Sequence, residues 1–225
     1  MGARTFVWIG GALFVASLIC CAWSYLVPLG RAAPPGGWSP IVVDAALITG
    51  FAVHHSLFAR AAVKAWLSRR VSADLLRSSY VWIASLLLLL VALAWQPIGS
   101  EIYRATGLMA VALTAVQVAG LWVTARAVAR IDPLELAGIH PAARSSGLQV
   151  SGPYGWVRHP LYFGWTLMTF GTPHMTGDRL LFAAVTTSYL IVAIPWEERS
   201  LRQSFGDAYA AYTREVRWRM IPFIY

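Results

Sequence analysis

Between Phe6 and Val27 the chain carries no Asp, Glu, Lys or Arg, and no other stretch restricts the fold as tightly. At about 1.5 Å per residue the run is long enough to cross a hydrocarbon core of about 30 Å. A cleaved leader is the rival reading, because Arg4 precedes the run and Ala32 and Ala33 follow it. The run is, however, longer than the apolar stretch of about 7 to 15 residues that such leaders carry. Three comparable runs follow, Ile41 to Phe58, Tyr80 to Trp95 and Ala105 to Ala125. In hydrocarbon every backbone N–H and C=O must be satisfied within the chain, which leaves helices for such runs. The expectation is an all-α, polytopic integral membrane protein.

The connectors agree with that reading. Arg31 to Pro40 is rich in proline and glycine and forms a turn outside the bilayer, whereas Ala59 to Arg77 is a basic connector. Ile131 to Gly152 is loop-like, broken by Pro133, Gly138, Pro141 and Gly147. Two further apolar segments, Leu161 to Met175 and Leu180 to Trp196, are short for full spans, so the count is five or six. After Pro195, Leu201, Phe205, Tyr209, Tyr212 and Val216 recur at helical spacing and predict a C-terminal amphipathic helix. That helix either lies on the membrane surface or folds back over a site. Residues 1–130 form a four-span bundle and 131–225 the remainder of one domain.

The composition is 58% hydrophobic and 12% charged, against about 25% charged in an average soluble domain. A formal net charge of +8 would suit nucleic acid, but a nucleic-acid reader needs its basic residues on one solvated patch, and here they separate apolar runs. Membrane orientation accounts for the charge. With six crossings only Arg31, Arg104 and Arg179 fall on one side and every other Lys and Arg on the opposite side. The positive-inside rule makes that basic side, with both termini, cytoplasmic, as in a bacterial inner membrane. Cys20 and Cys21 are adjacent within an apolar run, so they neither staple distant elements nor make a metal site.

Polar residues at apolar edges are the candidates for chemistry. Asp44, His54, His55 and Ser56 on the second run face protein rather than lipid, and Gln117 on the fourth makes an interhelical hydrogen bond. The densest group is Ser151 to Gly164, S-G-P-Y-G-W-V-R-H-P-L-Y-F-G. It offers Arg158 and His159 to a carboxylate and Tyr154, Trp156 and Tyr162 to a cation. Glu197 and Glu198 arrive at the same cytosolic face. Those groups suit a zwitterion with a positive centre, such as S-adenosylmethionine. A simpler account also exists: R-H-P can be an interfacial helix start with Pro160 in its first turn, and Glu198 with Arg202 can be an i,i+4 surface pair. No Walker loop, dinucleotide fingerprint or nucleophile elbow is present. The five histidines are too scattered for a di-iron oxygenase, although a haem held by two of them stays open.

The pattern G-P-Y-x-x-V-R-H-P-x-Y-x-G (Gly152 to Gly164) is followed by E-E-x-x-L (Glu197 to Leu201), by F-G-x-x-Y-x-x-Y (Phe205 to Tyr212) and by Pro222. This ensemble resembles the integral-membrane methyltransferases, which include isoprenylcysteine carboxyl, phospholipid N- and methanethiol S-methyltransferases. His55 to Arg60, Arg77 to Val81, Pro173 to Gly177 and Leu180 to Ala183 look most like the methanethiol enzymes and a neighbouring membrane family associated with nitric-oxide metabolism. His54 stands where that pattern has Gln, and Asp178-Arg179 where it has a histidine. The resemblance implies a methyl donor, S-adenosylmethionine, held by Ser146, Gly147, Leu148, Gln149, Tyr154, Arg158, His159, Pro160, Leu161, Tyr162 and Glu197. It implies a small or lipophilic acceptor, best read as a thiol, with Glu197, Glu198 or His55 taking its proton and Arg158 beside them. A lipid amine and a prenylcysteine carboxylate are the alternative acceptors. Ala193 occupies the position of a substrate-linked arginine in the prenylcysteine enzymes, which speaks against the latter. A non-catalytic or haem-binding relative is the remaining alternative.

Overall fold

The computed structural model describes residues 2–70, 72–131, 133–140 and 147–225. Its helices are α1 (Ala3–Leu26), α2 (Trp38–Ala59), α3 (Ala61–Leu67), α4 (Ala73–Leu93), α5 (Gly107–Val128), α6 (Pro133–Leu136), α7 (Pro160–Phe170) and α8 (Gly177–Glu215). Two short strands, β1 (Glu101–Arg104) and β2 (His174–Thr176), pair with each other. Five helices, α1, α2, α4, α5 and α8, are long and apolar enough to cross a membrane, and the protein is an integral membrane protein. The four N-terminal runs are helical as expected. The basic connector contains α3 and the first turn of α4, and α6 interrupts the expected loop.

The chain forms two compact units. The first comprises Met1–Glu101, Asp132–Ala143 and Thr176–Leu181. Here α1 packs on α4 through the stacked rings of Phe6 and Trp82, 5.5 Å apart, with Trp82 Nε1 donating to the Phe6 carbonyl at 3.1 Å. Asp44 is fully buried and accepts the Gln96 N–H at 3.0 Å, so it does face protein. Asp178 accepts from Trp95 Nε1 (2.7 Å), the Ile98 N–H (2.9 Å) and the Gly99 N–H (3.1 Å). Arg179 donates to the Tyr25 and Leu26 carbonyls at 3.1 and 2.8 Å and covers the Tyr25 ring. The pair that departs from the family pattern therefore has a structural task, closing the C-terminal end of α1 and the turn after α4, where helix carbonyls lack partners.

The second unit comprises Ile102–Ile131, Arg144–Met175 and Phe182–Tyr225. Its spine is the antiparallel pair α5 and α7. Gly120 and Gly164 face each other, and a Cβ on either would run into the partner's backbone, Gly164 O in one case and Gly120 O in the other. Gln117 Nε2 donates to the Met168 carbonyl at 3.0 Å, the interhelical bond expected of it. At one end of α5, Gly152 takes a left-handed φ of 66° where a side chain would meet the Arg130 guanidinium. At the other end Arg104 Nη2 lies 3.1 Å from His174 Nε2 and the Ala105 N–H donates to the Pro173 carbonyl.

The chain from Gly152 to His174 thus travels the whole length of α5, about 33 Å for 22 residues. Only 11 of its residues are α-helical, so the segment matches the length of α5 although α7 itself is too short for a span. Pro195 does not divide α8. The helix runs through it and breaks instead at Gly206, at φ 50° and ψ −122°, beyond which a second helical stretch reaches Glu215. Tyr209, Tyr212 and Val216 form a buried cluster, with Leu148, Leu201 and Phe205 packed against it. The amphipathic stripe is therefore turned inward over the 148 segment.

Candidate functional site

Within the second unit, the turn Gly152–Gly155 delivers Arg158 and His159 to the N-terminus of α7, where Pro160 occupies the first helical position. Their N–H groups donate to the Trp218 and Arg219 carbonyls at 2.9 and 2.7 Å, so the chain beyond α8 lies along them. Arg158 Nη1 donates to the Val216 and Arg217 carbonyls, both at 2.8 Å, and Nε to Glu198 Oε1 at 2.6 Å. Arg219 Nε approaches Glu198 Oε2 at 3.4 Å. Glu198 is 3% exposed, so it is no surface partner of Arg202 but a buried carboxylate held between two guanidinium groups.

Glu197, one residue and about 100° away on the helix, has a different setting, with its side chain 43% exposed. Tyr162 donates its hydroxyl to Glu197 Oε1. His159 Nδ1 lies 3.4 Å from Glu197 Oε2, and the His159 ring stacks on Tyr162 at 5.3 Å and 14°. His159 Nε2 is 3.6 Å from Glu198 Oε1, within reach of its charge though beyond a hydrogen bond. Burial works against the charged imidazole, but the Glu197 and Glu198 carboxylates outweigh it and hold the pKa above its ordinary value. Burial, with the charge of Glu197, pushes the Tyr154 phenol up to about 12, so it stays protonated. The result is an accessible, oriented carboxylate with aromatic faces beside it, resting on a buried ionic layer.

The geometry can be set beside known proteins. A phospholipid methyltransferase family model matches residues 114–208, which takes in most of α5, all of α7 and both glutamates. Methanethiol S-methyltransferase 2 of Bradyrhizobium diazoefficiens is 35% identical over 86% of this chain and 78% of its own length. The methanethiol S-methyltransferase of Pseudomonas sp. is 33% identical over 96% of this chain and 92% of its own. The chain belongs to the methanethiol S-methyltransferase family. The Crocosphaera subtropica methanethiol S-methyltransferase, 37% identical over 82% of this chain and 75% of its own, is a further relative. No solved structure matches. This protein is thus a membrane methyltransferase, and its reaction requires a methyl donor.

In this methyltransferase Tyr154, Arg158, His159, Pro160, Leu161, Tyr162, Glu197 and Glu198 come together in one unit. Gln149 is engaged there too: its Nε2 donates to the Arg130 carbonyl at 3.1 Å and its Oε1 accepts the Ser151 hydroxyl at 2.8 Å. Leu148 packs on the buried tyrosines and Gly147 is exposed. Ser146 lies outside the described residues. His55 belongs to the other unit, where its Nδ1 is 2.6 Å from the Tyr80 hydroxyl. Arg219, Tyr209 and Tyr212 were not among the expected site residues. Tyr209 is fully buried and Tyr212 donates to the Tyr154 carbonyl at 2.7 Å. The F-G-x-x-Y-x-x-Y spacing carried a signal for the two tyrosines, whereas Arg219 sits beyond the helix with no local pattern around it.

Proposed function

We propose that the protein transfers a methyl group from S-adenosylmethionine to the sulfur of a small thiol at the cytosolic face of the membrane, with both termini on that side and the whole chain acting as one catalytic domain. The observation that carries the donor half is Glu197: an accessible carboxylate, oriented by Tyr162 and His159, flanked by aromatic faces. That donor set fits the group. Glu197 accepts an α-ammonium; the rings of Tyr154 and Tyr162 favour a sulfonium; the backbone of Gly147, Leu148 and Gln149 lines the approach, with Pro160 and Leu161 completing the wall. Arg158 and Glu198 position His159 and the C-terminal stretch instead of touching the ligand, because the Arg158 guanidinium is already engaged by Glu198 and two carbonyls.

When bound, the donor supplies an activated methyl carbon, and the protein's contribution is to orient it and exclude water. The acceptor's proton leaves to water as its sulfur takes the methyl group, because Glu197 is committed to the donor's ammonium. The thiol reading is supported by relatives that are named for methanethiol and align over most of this chain. Ala193, in place of a basic residue, disfavours a carboxylate acceptor.

The test uses purified protein in lipid nanodiscs. S-adenosylmethionine is expected to bind by calorimetry, and methyl-labelled donor to yield volatile thioether from methanethiol. Label in extracted phospholipid instead would make a lipid amine the acceptor. A visible haem band without donor binding would overturn the methyltransferase assignment of the site.

A further inference from the structure

Two indoles of the second unit take no part in the donor wall. Trp156 closes the turn Gly152–Gly155, just ahead of Arg158, and stacks on Trp122 of α5 with centroids 6.0 Å apart and planes at 25°. Trp156 nonetheless stays 50% exposed and Trp122 51%. A core stack would be covered. Indoles left this open are favoured at the level of lipid head groups, where one end of the ring meets apolar chains and the other meets water. One turn further along α5, Arg126 holds its guanidinium 5.9 Å from the centroid of the Trp122 ring. Arg130 follows in the turn that ends the helix, with its guanidinium against Gly152. One turn before Trp122 stands Val118, also exposed.

Residues four apart share a helix face, so Val118, Trp122, Arg126 and Arg130 run from apolar through aromatic to cationic over about 18 Å. That is the order of groups along one lipid in its leaflet, whose hydrocarbon half is about 15 Å deep. Arg126 and Arg130 are exposed, and among the described residues neither guanidinium has an ion-pair partner. We infer that this row is the docking site of one anionic phospholipid, with an acyl chain along Val118, the glycerol level at the Trp122–Trp156 stack and the phosphate held by Arg126 and Arg130. Charge complementarity selects the head group. Two guanidinium groups match an anionic phosphate, whereas a zwitterionic head group brings its own cation against them. The bound lipid pins Trp156 to α5, and with it the turn that delivers Arg158 and His159.

The test titrates protein delipidated in detergent with phosphatidylglycerol or phosphatidylcholine, read by native mass spectrometry. Phosphatidylglycerol is expected to fill one site saturably and to raise the unfolding midpoint, as a ligand of the native state does. Phosphatidylcholine at the same concentrations is expected not to displace it. Each basic residue near an anionic head group is worth about fivefold in affinity, so Arg126→Gln combined with Arg130→Gln is expected to weaken binding at least about tenfold. Arg199→Gln combined with Arg202→Gln removes the same charge elsewhere, at a place where Arg199 also lies over an exposed indole, Trp196, at 5.1 Å. That control is expected to keep the affinity within about twofold. Equal affinity for the two lipids, or unchanged affinity in the folded Arg126 and Arg130 double variant, overturns the site. An equal loss in both double variants also overturns it, because net charge alone would then be responsible. The comparison of the two lipids on the native protein decides the matter even where a variant fails to fold.

Discussion

Arg158 Nε lies 2.6 Å from Glu198 Oε1, with the two side chains 8% and 4% exposed. Removing one partner of a buried pair leaves the other charge uncompensated, at a cost of about 3–5 kcal/mol. Glu198→Ala is therefore expected to lower the midpoint of thermal unfolding in detergent sharply. Arg158→Lys is expected not to rescue the pair's role, because an ammonium cannot serve Glu198 and the Val216 and Arg217 carbonyls with one planar fork. Unfolding midpoints equal to that of the native protein would show that this layer does not hold the site.

Glu197 stands one residue away and predicts the opposite phenotype. Its carboxylate is accessible and is held by Tyr162 and His159, so Glu197→Ala is expected to abolish turnover while the unfolding midpoint changes little. Calorimetry with S-adenosylmethionine separates the two glutamates: lost binding in a folded Glu197→Ala protein marks the ligand-facing group.

Tyr162→Phe tests how much of that carboxylate's worth lies in its orientation. One hydrogen bond to a charged group contributes about 1.5–3 kcal/mol. A loss of at least about tenfold in kcat/KM is expected, with the His159 ring stack retained. A smaller effect, measured by labelled methyl transfer, would mean that His159 alone orients Glu197.

The crossing helices were legible because absence of charge is a local property: Phe6 to Val27 or Ala105 to Ala125 can be read without knowing a single tertiary contact. The grouping of His159 and Tyr162 with Glu197 was also legible, through a spaced pattern. Glu198 was legible as a member of the site but its pairing was not, because the helical period offers Arg202 at i+4, and the real partners, Arg158 and Arg219, come from before α7 and from beyond α8. The reach of the α7 segment along α5 was hidden for a related reason. Eleven helical residues are too few, and the distance is completed by the extended chain up to β2, whose pairing with β1 no sequence period announces.

Arg179 gives a prediction for the first unit. It is 7% exposed and bonds to the last carbonyls of α1. Arg179→Ala is expected to cost about 2–4 kcal/mol, from two charged hydrogen bonds and a lost ring contact. The variant is expected to bind S-adenosylmethionine with native affinity once folded. An unaltered unfolding midpoint would show that the end of α1 is secured by other groups.

His159 sets the dependence on pH. Its folded pKa lies above the ordinary value because the Glu197 and Glu198 carboxylates outweigh the effect of burial. A group with a raised folded pKa binds its proton more tightly in the native state. Its contribution to stability is therefore complete below the unfolded value, about 6.5, and is lost as pH rises through the folded value. The unfolding midpoint in detergent is expected to fall across that interval on the alkaline side of 6.5. His159→Gln is expected to start lower and to show a flatter profile over the same range. If instead the native midpoint rises with pH while the His159→Gln profile stays parallel to it, the imidazolium is not what joins Glu197 to the buried layer beneath it.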